Sequence, residues 1–223
     1  MHYMIDRYAL AVKALPPDLK TVIDEVVAMV NFIKNSLLNT KILCLCHELN
    51  AHEEPFLFHT EVTWLSRGNV VGRVVTLKEE LKEFFERNEK EKIRKFVNKL
   101  SDKNWITKMA YRNYIFSRNN AVNRSLQSYW ATMIDFVDKL QAFQMKLKLW
   151  QEKVTAGWYE AYENMSHSLS VLCKDDVNEV SGLIHKHLIS PSQELENLFP
   201  DITDLDWYLL RNPLKVDLKS LPD

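Results

Sequence analysis

Cys44-Leu-Cys46-His47 is the one local grouping of soft metal ligands in this chain. Zinc sites space paired cysteines by about two to four residues and need four ligands. Here one residue separates the pair and no second pair follows, so two ordinary helix cysteines are the expected reading. His185-Lys-His187 has no companion ligand and reads as a solvated helix face. His59 and Glu61 share a face of an alternating segment and could touch, as an acid–base pair would. No nucleophile, oxyanion donor or second acid can be assigned around them. The expectation is therefore no metal, no cofactor and no catalytic residue. A different chemistry is suggested by Trp64-Leu-Ser-Arg67-Gly68 with Arg73 nearby. Trp64 either fills a corner between two elements or forms a platform on which an unpaired base can stack. Spacing leaves both readings open.

The strongest charge feature follows that motif. Residues 89–124 carry ten Lys/Arg (90, 92, 94, 95, 99, 103, 108, 112, 118, 124) against three acids. Residues 175–223 carry ten acids against four Lys/Arg. A basic stretch interleaved with Phe96, Trp105, Tyr111, Tyr114 and Phe116 could follow a phosphate backbone. It could equally be a solvated cationic face, or one paired with the acidic segment of the same molecule.

Composition narrows the function classes. The chain has 223 residues, 46% hydrophobic and 26% charged, with a net charge of −1, which describes a globular chain of one domain or two small ones. Four glycines, at 68, 72, 157 and 182, build neither common glycine-rich phosphate loop, which removes most nucleotide-dependent enzymes. Three cysteines are too few for a disulfide framework and point to a reducing intracellular setting. No apolar run reaches the ~18 residues of a membrane helix, and the N-terminus has no signal-peptide pattern.

Periodicity then places the motifs. Pro16-Pro17-Asp18 opens a helix whose stripe is Leu19, Val22, Ile23, Val26, Val27, Val30 and Ile33. A short helix is expected around 40–49. Phe56–Trp64 alternates with period two and predicts one strand, which needs a partner such as Met1–Leu10 or a sheet outside the chain. From Ser66 onward the pattern predicts helices, including 93–100, 105–116, an unbroken 126–154 and about 175–188 stopped at Ser190-Pro191.

A family resemblance rests on these residues. His59-Thr-Glu-Val-Thr-Trp-Leu-Ser-Arg-Gly68 followed by Val70-Val71-x-Arg73-Val74 resembles the HTEVRWLSRGKVLxRV signature of hAT-superfamily transposases. It looks most like the Charlie/Buster branch and its domesticated vertebrate derivatives. Val30-Asn-Phe-Ile-Lys34, Asn120-x-x-Asn123-x-x-Leu126-Gln127, Phe143-x-x-Lys146-Leu147-x-Leu149-Trp150 and Leu210-Arg-Asn-Pro213 are similar to further segments of that branch. The resemblance implies a mainly α chain, the helical insertion of an RNase H-like fold with a truncated sheet remnant. Residues 1–65 would be that remnant and 66–223 the insertion with an acidic C-terminal segment. The family cleaves and joins DNA with three metal-binding acids. By the resemblance, two of these acids would precede Met1 and the third would follow Asp223. Tyr3 and Asp6 stand where the family has Cys and His, and Thr63 where it has Arg.

The expected function is accordingly that of a catalytically inactive, transposase-derived nuclear protein, with the cytoplasm as the alternative location. Residual DNA binding would use Trp64, Arg67, Arg73, Lys92, Arg94, Lys95, Lys99 and Lys103. Alternatives are a protein-interaction or oligomerisation module without DNA binding, and a decayed transposase fragment. A protein partner or self-association is compatible with the sequence. A membrane or a small-molecule substrate is not expected.

Overall fold

Apolar residues at helical spacing, with few glycines and prolines between them, favour helix over strand along most of this chain. The computed structural model describes residues 2–34, 64–86, 91–127, 132–160, 162 and 165–200. In order, the helices are α1 (His2–Ala11), α2 (Pro17–Lys34), α3 (Trp64–Thr76), α4 (Lys78–Glu86), α5 (Glu91–Ser101), α6 (Lys103–Leu126), α7 (Met133–Thr155), α8 (Met165–Ser170) and α9 (Lys174–Leu198). The architecture is mainly α, and no strand occurs among the described residues. The strand expected over 56–64 lies outside those residues except for Trp64, which opens α3. Of the Met1–Leu10 segment offered as its partner, residues 2–10 are helical instead: Ile5, Tyr8, Ala11 and Val12 are buried at helical spacing. The helix expected around 40–49, with Cys44, Cys46 and His47, lies outside the described residues, as do His59 and Glu61.

The chain divides into two compact units. One comprises residues 15–118 and 159–183. Its core is a stripe of α2 (Val22, Ile23, Val26, Met29, Val30, Ile33) with Val71 and Val74 of α3, Leu81, Phe84 and Phe85 of α4, and Ile93 and Leu100 of α5. Phe85 sits at its centre, with ring centroids 6.3 Å from Phe32, 5.3 Å from Phe84 and 5.3 Å from Phe96. Gly72 passes so close to Asn113 that an added Cβ would lie 3.0 Å from its side-chain oxygen.

The other unit comprises residues 1–14, 119–158 and 184–223. Here α7 buries Phe136, Val137, Leu140, Phe143, Leu147, Trp150 and Val154 along one stripe. Tyr8 meets Phe143 edge-on at 5.7 Å, and Phe136 meets Phe199 at 5.8 Å. The Gln151 amide donates to the Leu188 carbonyl at 3.1 Å and ties α7 to α9.

Two sequence expectations fail for identifiable reasons. The helix expected to run unbroken over 126–154 is two helices, because Thr132 starts a new one. Its hydroxyl accepts from the Asp135 backbone N–H at 3.1 Å, and the Asp135 carboxylate accepts from the Thr132 N–H at 2.9 Å. This reciprocal box satisfies donors that a helix start leaves open. The stop at Pro191 also fails: α9 passes through it to Leu198. An interior proline costs about 3 kcal/mol or more. Burial of Leu188, Pro191, Leu195 and Phe199 against the unit's core offsets that loss.

The box carries a prediction. Hydrogen bonds from Thr132, backbone first and then side chain, hold the Asp135 carboxyl below its ordinary range. A depressed carboxylate pKa contributes stability above the unfolded-state value, and that contribution disappears as pH falls through the native value. Thr132→Ala should cost about 1 kcal/mol in urea unfolding at neutral pH. The stability gap between wild type and Asp135→Asn should close as the titration moves to acid.

Candidate functional site

Helix α5 is short and strongly two-faced. Ile93 and Leu100 are buried and Phe96 is partly buried, so the helix is pinned to the core along that side. The opposite side is fixed in solvent by the same geometry. Arg94, Asn98 and Ser101 fall at i, i+4 and i+7, with Lys95 beside them, and all four are exposed. Asp102 then ends α5 and starts α6. Its carboxylate accepts from the backbone N–H groups of Asn104 at 2.9 Å and Trp105 at 3.2 Å, so Lys103 projects at the beginning of α6. Arg94, Lys95 and Lys103 form no ion pair among the described residues. Arg, Lys, Asn and Ser are donors suited to phosphate oxygens, and they read no base sequence there.

The remaining cations of the basic stretch have other employment. Lys99 lies 3.0 Å from the Glu25 carboxylate, which also accepts from the Trp105 indole N–H at 2.6 Å. Lys108 donates to Glu179 at 2.7 Å. Glu179 belongs to the acidic segment that starts at 175, so the intramolecular pairing weighed from the sequence is partly realised. Arg112 is a core residue: it is fully buried, with its guanidinium carbon 3.7 Å from the Phe116 ring centroid. Burial pulls its pKa down to about 9, against a smaller opposing effect of Tyr111. Arg118 lies 5.0 Å from the Tyr114 ring centroid. Arg124 is exposed.

Of the eight residues singled out for DNA contact, the structure therefore groups Arg94, Lys95 and Lys103 as available cations. Lys99 is adjacent but paired. Arg73 is half-buried in the last turn of a different helix, α3. Trp64, Arg67 and Lys92 have helical backbones, and their side chains lie outside what the structure describes. Sequence reasoning missed Glu25 as the group that pairs with Lys99, and Trp105 as the second donor to its carboxylate. Glu25 is far from Lys99 in the chain, and no helical spacing links them. Asp102 did carry a local signal, an N-cap residue between two apolar-periodic runs.

A cavity of about 670 Å³ opens in the same unit, lined by Asp18, Glu25, Lys99, Asn104, Trp105 and Cys173 among others. Two of its three lysines, Lys99 and Lys108, are neutralised by the pairs just described. The Cys173 thiol donates to Asp176 at 3.1 Å and is exposed. Among the described residues no group of three His, Cys, Asp or Glu could hold a metal ion. The solvated face expected for His185-Lys-His187 needs correction. His187 is buried on α9, because Leu183, Ile184 and Leu188 carry that side of the helix into the core. No described helix is long and apolar enough to cross a membrane.

No solved structure matches the chain. The family model for the FAM200/GTF2IRD2 helical domain matches residues 2–155, which include α1 to α7 and the whole two-faced α5. That match covers more than half of the chain. The helical architecture and the match agree, and the chain belongs to the FAM200/GTF2IRD2-like family of domesticated, transposase-derived helical domains.

Proposed function

We propose that this domain works by binding and not by catalysis, holding nucleic-acid backbone on the exposed face of α5. The observation that carries the reading is the alignment of Arg94, Lys95, Asn98 and Ser101 on one solvent face, with Lys103 just beyond and no acid paired to the three cations among the described residues. Transposase ancestry supports a nucleic-acid ligand and a nuclear location. In this reading the chain is the helical insertion of an RNase H-like hAT transposase of the Charlie/Buster type. Residues 1–65 descend from the sheet-bearing core and 66–223 from the insertion. No cleavage chemistry is assigned to the residues of this domain in this reading.

Phosphate contacts supply affinity without sequence information. Reversing Arg94, Lys95 and Lys103 to Glu should therefore weaken binding to unrelated duplexes by the same factor, measured by fluorescence anisotropy. Hairpin and duplex DNA should stay intact with Mg²⁺ or Mn²⁺. Equal affinity of wild type and triple variant would overturn the reading, and so would cleavage abolished by a point mutation in this chain.

A further inference from the structure

The cationic face of α5 runs into the cavity of its own unit. Ser101 and Lys103, which close that face, also line the cavity, and both are exposed. A strand whose phosphates follow Arg94, Lys95 and Lys103 therefore passes the cavity mouth. The volume of about 670 Å³ lies within the range of sites that enclose a small organic group, about 300–1,000 Å³. Val22, Val171 and Leu172 supply apolar wall, and Val171 is 46% exposed. A flat ring can lie against such a wall, and only an unpaired base is free to leave its strand and enter.

Hydrogen bonding selects the base. Apart from Ser101 and Lys103 at the mouth, the side-chain donors of the lining are engaged. Glu25 takes Lys99 and the Trp105 indole, Glu179 takes Lys108, Asp176 takes the Asn104 amide and the Cys173 thiol, and the Pro17 carbonyl takes the Thr21 hydroxyl. Acceptors remain open. Asp102 uses Oδ1 for both backbone bonds that start α6, and its Oδ2 has no partner among the described residues. Four carboxylates (18, 25, 102, 176) face three lysines (99, 103, 108), a balance of −1, so a second phosphate is not drawn inside. An ionised carboxylate only accepts. The ligand must turn donors inward while its anionic part stays with Lys103. The Watson–Crick edge of guanine offers N1–H and the N2 amine side by side, which suits one carboxylate. Thymine offers a single N–H between two carbonyl oxygens, which a carboxylate repels. A lysine or arginine side chain also brings donors, but Lys103 repels it and the α5 cations give it nothing. We infer that the cavity captures an unpaired guanine of a nucleic-acid strand held on α5. The inference rests on the nucleic-acid reading of that face and adds base selection to it.

The test uses the full chain and short fluorescein-labelled strands in anisotropy titrations. One strand is all thymine, a second carries one central guanine, and a third carries inosine there, which lacks the N2 amine. The guanine strand should bind about 5-fold or more tightly than the thymine strand, the lower end of what a bidentate base contact contributes. Inosine should fall back towards thymine, and pairing the central base with its complement should remove the difference. Asp102→Asn keeps an N-cap acceptor for α6 and turns the open oxygen into a donor. Thr21→Trp, on the exposed side of α2, fills the cavity. Each should erase the guanine preference while duplex binding and circular dichroism melting are retained. Duplex binding with equal affinity for all three single strands would overturn this inference and leave the α5 face standing. Loss of binding to every strand and duplex would overturn both. A guanine preference that survives in both variants would overturn the cavity as its source. So would a lysine-bearing peptide whose binding, and not that of the guanine strand, is lost in Thr21→Trp.

Discussion

Phe85→Ala should destabilise its unit by about 3–5 kcal/mol. A domain's whole stability is about 5–15 kcal/mol, so this one truncation consumes a large share of it. The size follows from position. Phe85 is fully buried and its ring touches three other phenylalanines, from α2, α4 and α5. Removing it opens a cavity at the junction of those helices and deletes aromatic pairs worth about 0.5–1.5 kcal/mol each. Urea unfolding followed by circular dichroism gives the number. A loss below ~1 kcal/mol would mean that the helices around Phe85 can collapse onto the vacated space. The exposed face of α5 depends on the same packing, so the variant should also bind nucleic acid less well near its melting temperature.

Trp105 is the second position of large effect, and it couples stability to function. Trp105→Ala should cost about 3–5 kcal/mol, because a buried indole leaves a cavity. Trp105→Phe keeps most of the ring and loses the 2.6 Å bond to the Glu25 carboxylate. Hydrogen bonds to charged groups contribute about 1.5–3 kcal/mol, so the Phe variant should fall between wild type and the Ala variant. Glu25→Gln separates the two roles. It removes the charge that holds Lys99 and places a fourth free cation beside Arg94, Lys95 and Lys103. Nucleic-acid binding should then become more salt-sensitive by about one unit of log–log slope. An unchanged slope in Glu25→Gln would show that Lys99 does not face the phosphate path.

Local pattern made much of this fold legible. The α2 stripe from Leu19 to Ile33 was readable from spacing, and every member expected on it is buried or partly buried. The cap at Thr132 was also present, as Thr-x-x-Asp, but the apolar periodicity on either side concealed the break. Pro191 was misleading because its intrinsic penalty is large and the burial that offsets it is tertiary. Arg112 was misread for a similar reason. Residues 109–112 and 114–116 are all buried, so the turn of α6 that carries Arg112 has no solvated side for it to occupy. An aromatic and aliphatic run on every side of a helix is the signal that marks such a residue as internal. The candidate site was half legible: the excess of cations could be counted, but which remained available was set by Glu25 and Glu179, partners distant in sequence.

Binding of duplex DNA across a salt series tests the central claim most directly. With Arg94, Lys95 and Lys103 as the contacting cations, the plot of log affinity against log salt should be linear with a slope of roughly −3. Reversing the three to Glu should flatten it and abolish binding at ~50 mM salt, where the electrostatic contribution is strong. A wild type that fails to bind at that salt, or a triple variant with the wild-type slope, would contradict the assignment of α5 as a backbone-binding face.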